Sequence, residues 1–65
     1  MLEGTITAIN CTGAYYNVYV ELSPSKRTLP IRLQERELKR LLGVEELDSL
    51  EGYIKKHIYF NVNDP

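Results

Sequence analysis

Tryptophan is absent, and cysteine, methionine, histidine and phenylalanine each occur once among 65 residues. The lone Cys11 has no internal disulfide partner, which fits a reducing compartment or a buried thiol. His57 has no second ligand-type residue at metal spacing, so a packing or surface histidine is expected and no metal site. Cys11 and His57 as a nucleophile–base pair would need a third, orienting group that the sequence does not supply. The four glycines, Gly4, Gly13, Gly43 and Gly52, are isolated, so no phosphate-cradling loop is present. Glu35, Glu37, Glu45, Glu46, Asp48 and Glu51 have no spacing that argues for acid–base work and read as solvated faces. The expectation is a chain that is not an enzyme and carries no cofactor.

An excess of one charge is also missing. Eight basic and nine acidic residues give a net charge of −1 and a pI near 5.7. A domain that grips nucleic acid through phosphates is usually basic, so this balance disfavours that role. No apolar run approaches the length of a membrane span, and the opening residues lack a signal-peptide pattern. A cytoplasmic protein with no membrane association is expected. Residues 1–65 read as one domain, near the lower size limit for a core without staples. Marginal stability or association is the default for such a chain.

What is present is a clear succession of periods. Glu3–Asn10 alternates, with Ile6 and Ala8 expected on one face and Thr5, Thr7 and Ile9 on the other. Cys11–Ala14 reads as a turn in which Gly13 is free to take positive φ. Tyr15–Leu22 is the cleanest strand. Tyr16, Val18, Val20 and Leu22 face one way, and Tyr15, Asn17, Tyr19 and Glu21 the other. Ser23–Arg27 reads as a second turn. A third strand follows with Leu29, Ile31 and Leu33 on one face; Pro30 lacks an N–H, which assigns it to an edge or a bulge.

From Gln34 to Leu42 the period becomes helical, with Leu38, Leu41 and Leu42 on one face. Glu35–Lys39 and Glu37–Arg40 are expected as outside pairs, and Gly43 as the helix stop. Arg36, Lys39 and Arg40 make a basic cluster that Glu35 and Glu37 interrupt, as a solvated helix face would. Val44, Leu47 and Leu50 suit a short helical turn or irregular cover. Tyr53–Val62 resumes alternation, with Ile54, Ile58, Phe60 and Val62 expected inward and Tyr53, His57, Tyr59 and Asn61 outward. The fold expected is mainly β with one helix, in the order β-β-β-α-β: a small, half-open barrel of the OB type.

The run from "L-E-G-T-I-T-A-I" through "G-A-Y-Y-N-V-Y-V-E-L" and "R-T-L-P-I-R-L", then "L-G-V…L-E-G" and "I-Y-F-N-V-N-D-P", resembles the TOBE/Mop-type domain over almost the whole chain. This is an OB-like barrel found in molybdate-binding proteins and importer ATPases. The resemblance implies a binding or regulatory module rather than a catalyst. Members that bind oxyanions share a Ser/Thr-rich segment and an N-terminal donor run. Here Leu29–Glu37 contains no serine or threonine and the N-terminal run is missing, so the resemblance carries the barrel and not that ligand.

The candidate binding residues lie on the outward strand faces: Tyr15, Asn17 and Tyr19 on the second strand, Arg32 on the third, and His57, Tyr59 and Asn61 on the last. If the second and last strands lie near each other, they form an aromatic and amide surface. Such a surface suits a homo-oligomer or protein partner, with room for a small ligand. OB-type barrels also stack single-stranded nucleic acid on outward aromatics, with basic residues such as Lys26, Arg27, Arg32, Lys55 and Lys56 guiding the backbone. The missing basic excess ranks that reading second. A small viral or regulatory protein that modulates another protein is a third reading, for which the sequence has no distinguishing mark.

Overall fold

A computed structural model describes residues 1–61. The chain is mainly β, a curled four-stranded antiparallel half-barrel with one helix. The elements are β1 (Leu2–Thr12), β2 (Tyr15–Leu22), β3 (Thr28–Gln34), α1 (Glu35–Leu42), a 3₁₀ turn (Leu50–Tyr53) and β4 (His57–Phe60). The sheet order is β3-β2-β1-β4. β1 is the hub: Gly4–Thr12 pairs with β2, and Leu2–Thr5 pairs with β4.

The first hairpin is tighter than the sequence suggests. Strand pairing continues to Thr12–Tyr15, which leaves only Gly13 and Ala14 as the loop. Gly13 takes φ of 60° while Ala14 stays in the ordinary region, the pattern of a type II′ turn that matches strand twist. Cys11 and Thr12 are therefore strand residues. The β2–β3 connection is the expected Ser23–Arg27 turn, in which Lys26 adopts φ of 62° and its N–H donates to the Leu22 carbonyl.

Alternation fails within β1. Ile6 pairs with Val20 but Ala8 pairs with Tyr19, so one extra residue is accommodated at Thr7. This β-bulge reverses the faces beyond it. Ile9 turns inward opposite Val18 and packs against the core, and Ala8 turns outward opposite Tyr19. Simple alternation assigns both the other way. The bulge lets a β-branched side chain replace a methyl group at the core, and the Thr7 hydroxyl donates to the Tyr19 carbonyl at 3.2 Å.

The core consists of Ile6, Val18, Val20, Leu38, Leu42, Ile58 and Phe60. Each fully buried aliphatic side chain here stabilises by about 1.5–3 kcal/mol relative to exposure. α1 contributes Leu38 and Leu42 to it, with Leu41 half-buried beside them. The helix starts at Gln34, whose backbone N–H donates to Glu37 Oε1 at 3.0 Å. Glu37 is thus engaged in a capping box, and the expected Glu37–Arg40 pair does not form. The Glu35–Lys39 pair does, at 3.3 Å. Gly43 ends the helix at φ of 72°. Its N–H donates to the Arg40 carbonyl and that of Val44 to the Lys39 carbonyl, a Schellman arrangement.

The last strand is shorter than the period implies. Tyr53 belongs to the 3₁₀ turn, and Ile54 follows it in a turn that Lys55 completes at φ of 75°. Tyr53 packs against the core instead of pointing outward, and its hydroxyl accepts the Asp48 N–H at 3.1 Å. A period of two cannot separate a strand from a tight turn followed by a strand when both bury alternate apolar residues. Val62, expected inward, lies outside the described residues.

Candidate binding surface

The outward side chains of β1, β2 and β3 form crosswise rows. Tyr15 lies between Thr12 and Gln34, Asn17 between Asn10 and Arg32, and Tyr19 between Ala8 and Pro30. Tyr15, Asn17 and Tyr19 are half-buried by these neighbours, and Arg32 is exposed. The Arg32 guanidinium lies over the Tyr15 ring, 4.3 Å from its centre. Asn17 Nδ2 donates to Thr12 Oγ1 at 3.3 Å. Together they make a flat patch with two phenol edges, an amide and one cation.

His57 and Tyr59 form a second patch on the same side of the sheet. Their rings meet edge to face at 5.2 Å, and His57 Nε2 lies 3.1 Å from Glu3 Oε2. That contact becomes an ion pair when the imidazole is protonated. Tyr59 is 62% exposed. β1 separates this patch from the first: Tyr19 faces Ala8, whereas His57 faces Thr5, with the Thr7 bulge between them. The second and last strands are not neighbours, and their outward residues form two patches instead of one continuous surface. Asn61 belongs to neither. It follows β4 and lines a groove beside Phe60.

Cys11 pairs with Tyr16 at the far end of β1 from Thr5, the partner of His57. At about 3.3 Å per strand residue the two lie roughly 20 Å apart, beyond any nucleophile–base contact. Burial, with the Cys11 thiol and the Glu35 carboxylate nearby, pushes the Tyr16 phenol above its ordinary value. Among the described residues, no group of three or more His, Cys, Asp or Glu side chains is placed to hold a metal ion. Among the same residues, no helix is long and apolar enough to cross a membrane.

One feature of the surface escapes sequence reasoning. A groove of about 300 Å³ opens between β3, α1 and the end of β4, lined by Ile31, Leu33, Leu41 and Phe60 with Glu37 and Arg40 on its rim. Its signal in the sequence is indirect: four strands are too few to close a barrel, so two apolar edges must end at a gap.

Compared with known proteins, the chain matches no family profile, no curated protein and no solved structure.

Proposed function

We propose that this chain is a non-catalytic binding module, an OB-like barrel of TOBE/Mop character that acts through a protein partner or a second copy of itself. The observation that carries this reading is the outward patch of Tyr15, Asn17, Tyr19 and Arg32. Tyrosine and arginine are the residues most often found as energetic anchors of interfaces. The Arg32–Tyr15 stack holds both side chains in place before any partner arrives, which lowers the entropy cost of association. Room for a small ligand at such an interface is compatible with this reading. Sedimentation equilibrium up to millimolar protein tests self-association. Wild type is expected to associate, and Tyr19→Ala to shift the equilibrium toward monomer. Strictly monomeric behaviour, with no difference between the two proteins, overturns self-association through this patch.

The same stack supports a second reading. Outward aromatics beside arginine suit the stacking of single-stranded nucleic acid, although a net charge of −1 opposes it. Titration of a fluorescent oligothymidylate in low salt decides between them. Salt-sensitive binding that Tyr19→Ala weakens favours nucleic acid, and the absence of binding removes it.

A further inference from the structure

The sheet stops short of closure, and both of its edges border the same groove. The Leu22 N–H donates to the Arg27 carbonyl at 2.7 Å. Ladder bonds alternate along an antiparallel pair, so Leu29, Ile31 and Leu33 direct their backbone groups at β2. Thr28, Pro30 and Arg32 therefore direct theirs at the open edge, where Pro30 offers only a carbonyl. On the other side, the Ile6 N–H donates to the Lys56 carbonyl at 2.9 Å. Gly4–Ile58 and Leu2–Phe60 share that phase, which leaves His57 and Tyr59 with backbone groups turned away from β1.

Among the described residues, neither edge has a strand partner. Apolar side chains form the floor between them: Ile31 and Leu33 from β3, Leu41 from α1 and Phe60 from β4. The groove continues along Leu29, Pro30 and Arg32. On its rim Glu37 is engaged by the Gln34 N–H and Arg32 by the Tyr15 ring, whereas Arg40 makes no ion pair with the described residues and is the charged side chain left to meet a ligand.

We propose that this seam accepts an extended segment of a partner protein, apolar at alternate positions and carrying an acidic residue for Arg40, which enters as the missing strand. A strand is the occupant that satisfies both rows of backbone groups while its alternate side chains fill the floor. The edges are seven residues long on β3 and four on β4, so a segment of that length spans them. A second copy of the chain does not fit as well. The gap requires a strand unpaired on both edges, and each described strand is already bonded to a neighbour on at least one. Arg32 borders both the seam and the Tyr15–Tyr19 patch, but the floor of Ile31, Leu33, Leu41 and Phe60 belongs to the seam alone. The proposal does not depend on that patch being an interface.

The test is an amide-resolved NMR titration with a panel of capped peptides of about eight residues. These alternate valine or isoleucine with threonine and include one glutamate; controls of identical composition cluster the apolar residues. Alternating peptides are expected to shift the amides of Arg32 and Tyr59 and the Phe60 ring signals, leaving the amides of Asn10 and Thr12, across β2 from the β3 edge, unmoved. Tyr59→Pro and Tyr59→Thr both lose the ring, but only the first loses the N–H. Proline should therefore bind about three- to tenfold more weakly than threonine, the range for one net hydrogen bond. Arg40→Glu should transfer the preference to peptides with lysine in place of glutamate, and Ser49→Ala, at an exposed position away from the groove, should leave peptide affinity unchanged. The proposal is overturned if no alternating peptide shifts the seam, if the clustered controls act equally, or if the two Tyr59 variants bind alike. Seam shifts on diluting the protein alone would assign the groove to a second copy and also overturn it.

Discussion

Arg32 lies across the Tyr15 ring at 4.3 Å, although the two are not opposite one another in the ladder. Tyr15 faces Gln34, and Arg32 faces Asn17. The contact is diagonal, over a separation that only long side chains bridge. It ties the start of β2 to the open-edge strand β3 at the end of the sheet nearest the helix, and fixes the one cation of the outward patch.

This pair should be measurable as a coupling. Tyr15→Ala, Arg32→Ala and the double variant, compared by urea unfolding, are expected to show an interaction of about 0.5–1 kcal/mol, the range for an exposed cation over an aromatic face. Arg32→Lys should retain part of it, because the ammonium keeps the charge but loses the planar stack. Strict additivity of the two alanine substitutions would show that the stack contributes nothing to stability.

Much of the fold was legible from the residues. Tyr16, Val18, Val20 and Leu22 keep strict alternation and do face or border the core. Pro30 pointed to an edge strand, and β3 is one; Gly43 pointed to the helix stop. Local chemistry decides each of these. The Thr7 bulge was not legible, because it depends on how Ile9 and Ala8 compete for a core built by distant strands. The turn at Tyr53–Lys55 was hidden for a related reason, since Ile54 keeps the even spacing to Ile58 and Phe60 that a strand would use. For the candidate surface, alternation alone selected Tyr15, Asn17 and Tyr19 as outward. That β1 divides them from His57 and Tyr59 is a matter of sheet order, to which a single strand's pattern is blind. The seam is harder still, since it exists only through where β3 and β4 end relative to one another.

Tyr16 makes the alkaline limb of stability a specific test. Its phenol is held above the ordinary value of 10.0, chiefly by burial and then by Cys11 and Glu35. The folded state thus keeps the proton to higher pH than the unfolded chain does. The associated stability is fully present below pH 10 and is lost as pH rises through the folded value. Tyr16→Phe cannot ionise, so its stability should fall less steeply over that interval than wild type in urea titrations at successive pH values. Parallel alkaline limbs for the two proteins would show that Tyr16 is not the group responsible.

Gly4 supplies the sharpest mutational prediction, and its reason is space rather than backbone freedom. It is buried in β1, opposite Leu22 on one side and Ile58 on the other. A Cβ at this position would lie 2.6 Å from the Glu21 carbonyl oxygen and 2.6 Å from Val20 Cγ1. Val20 is itself fully buried, so its methyl has little room to turn away. The carbonyl belongs to the β2 backbone, which moves only if the β1–β2 pairing opens. Overpacking of this kind typically costs about 1–3 kcal/mol, a large part of the roughly 5–15 kcal/mol available to a small domain. Gly4→Ala should therefore lower the urea midpoint markedly, with the largest amide shifts at Val20 and Glu21. Gly52→Ala is the matched control, since nothing lies within 4 Å of its added Cβ and its φ is not positive. It should be neutral or slightly stabilising, because alanine restricts the unfolded chain. Equal midpoints for Gly4→Ala and wild type would mean that β1 and β2 do not approach as closely as their register implies.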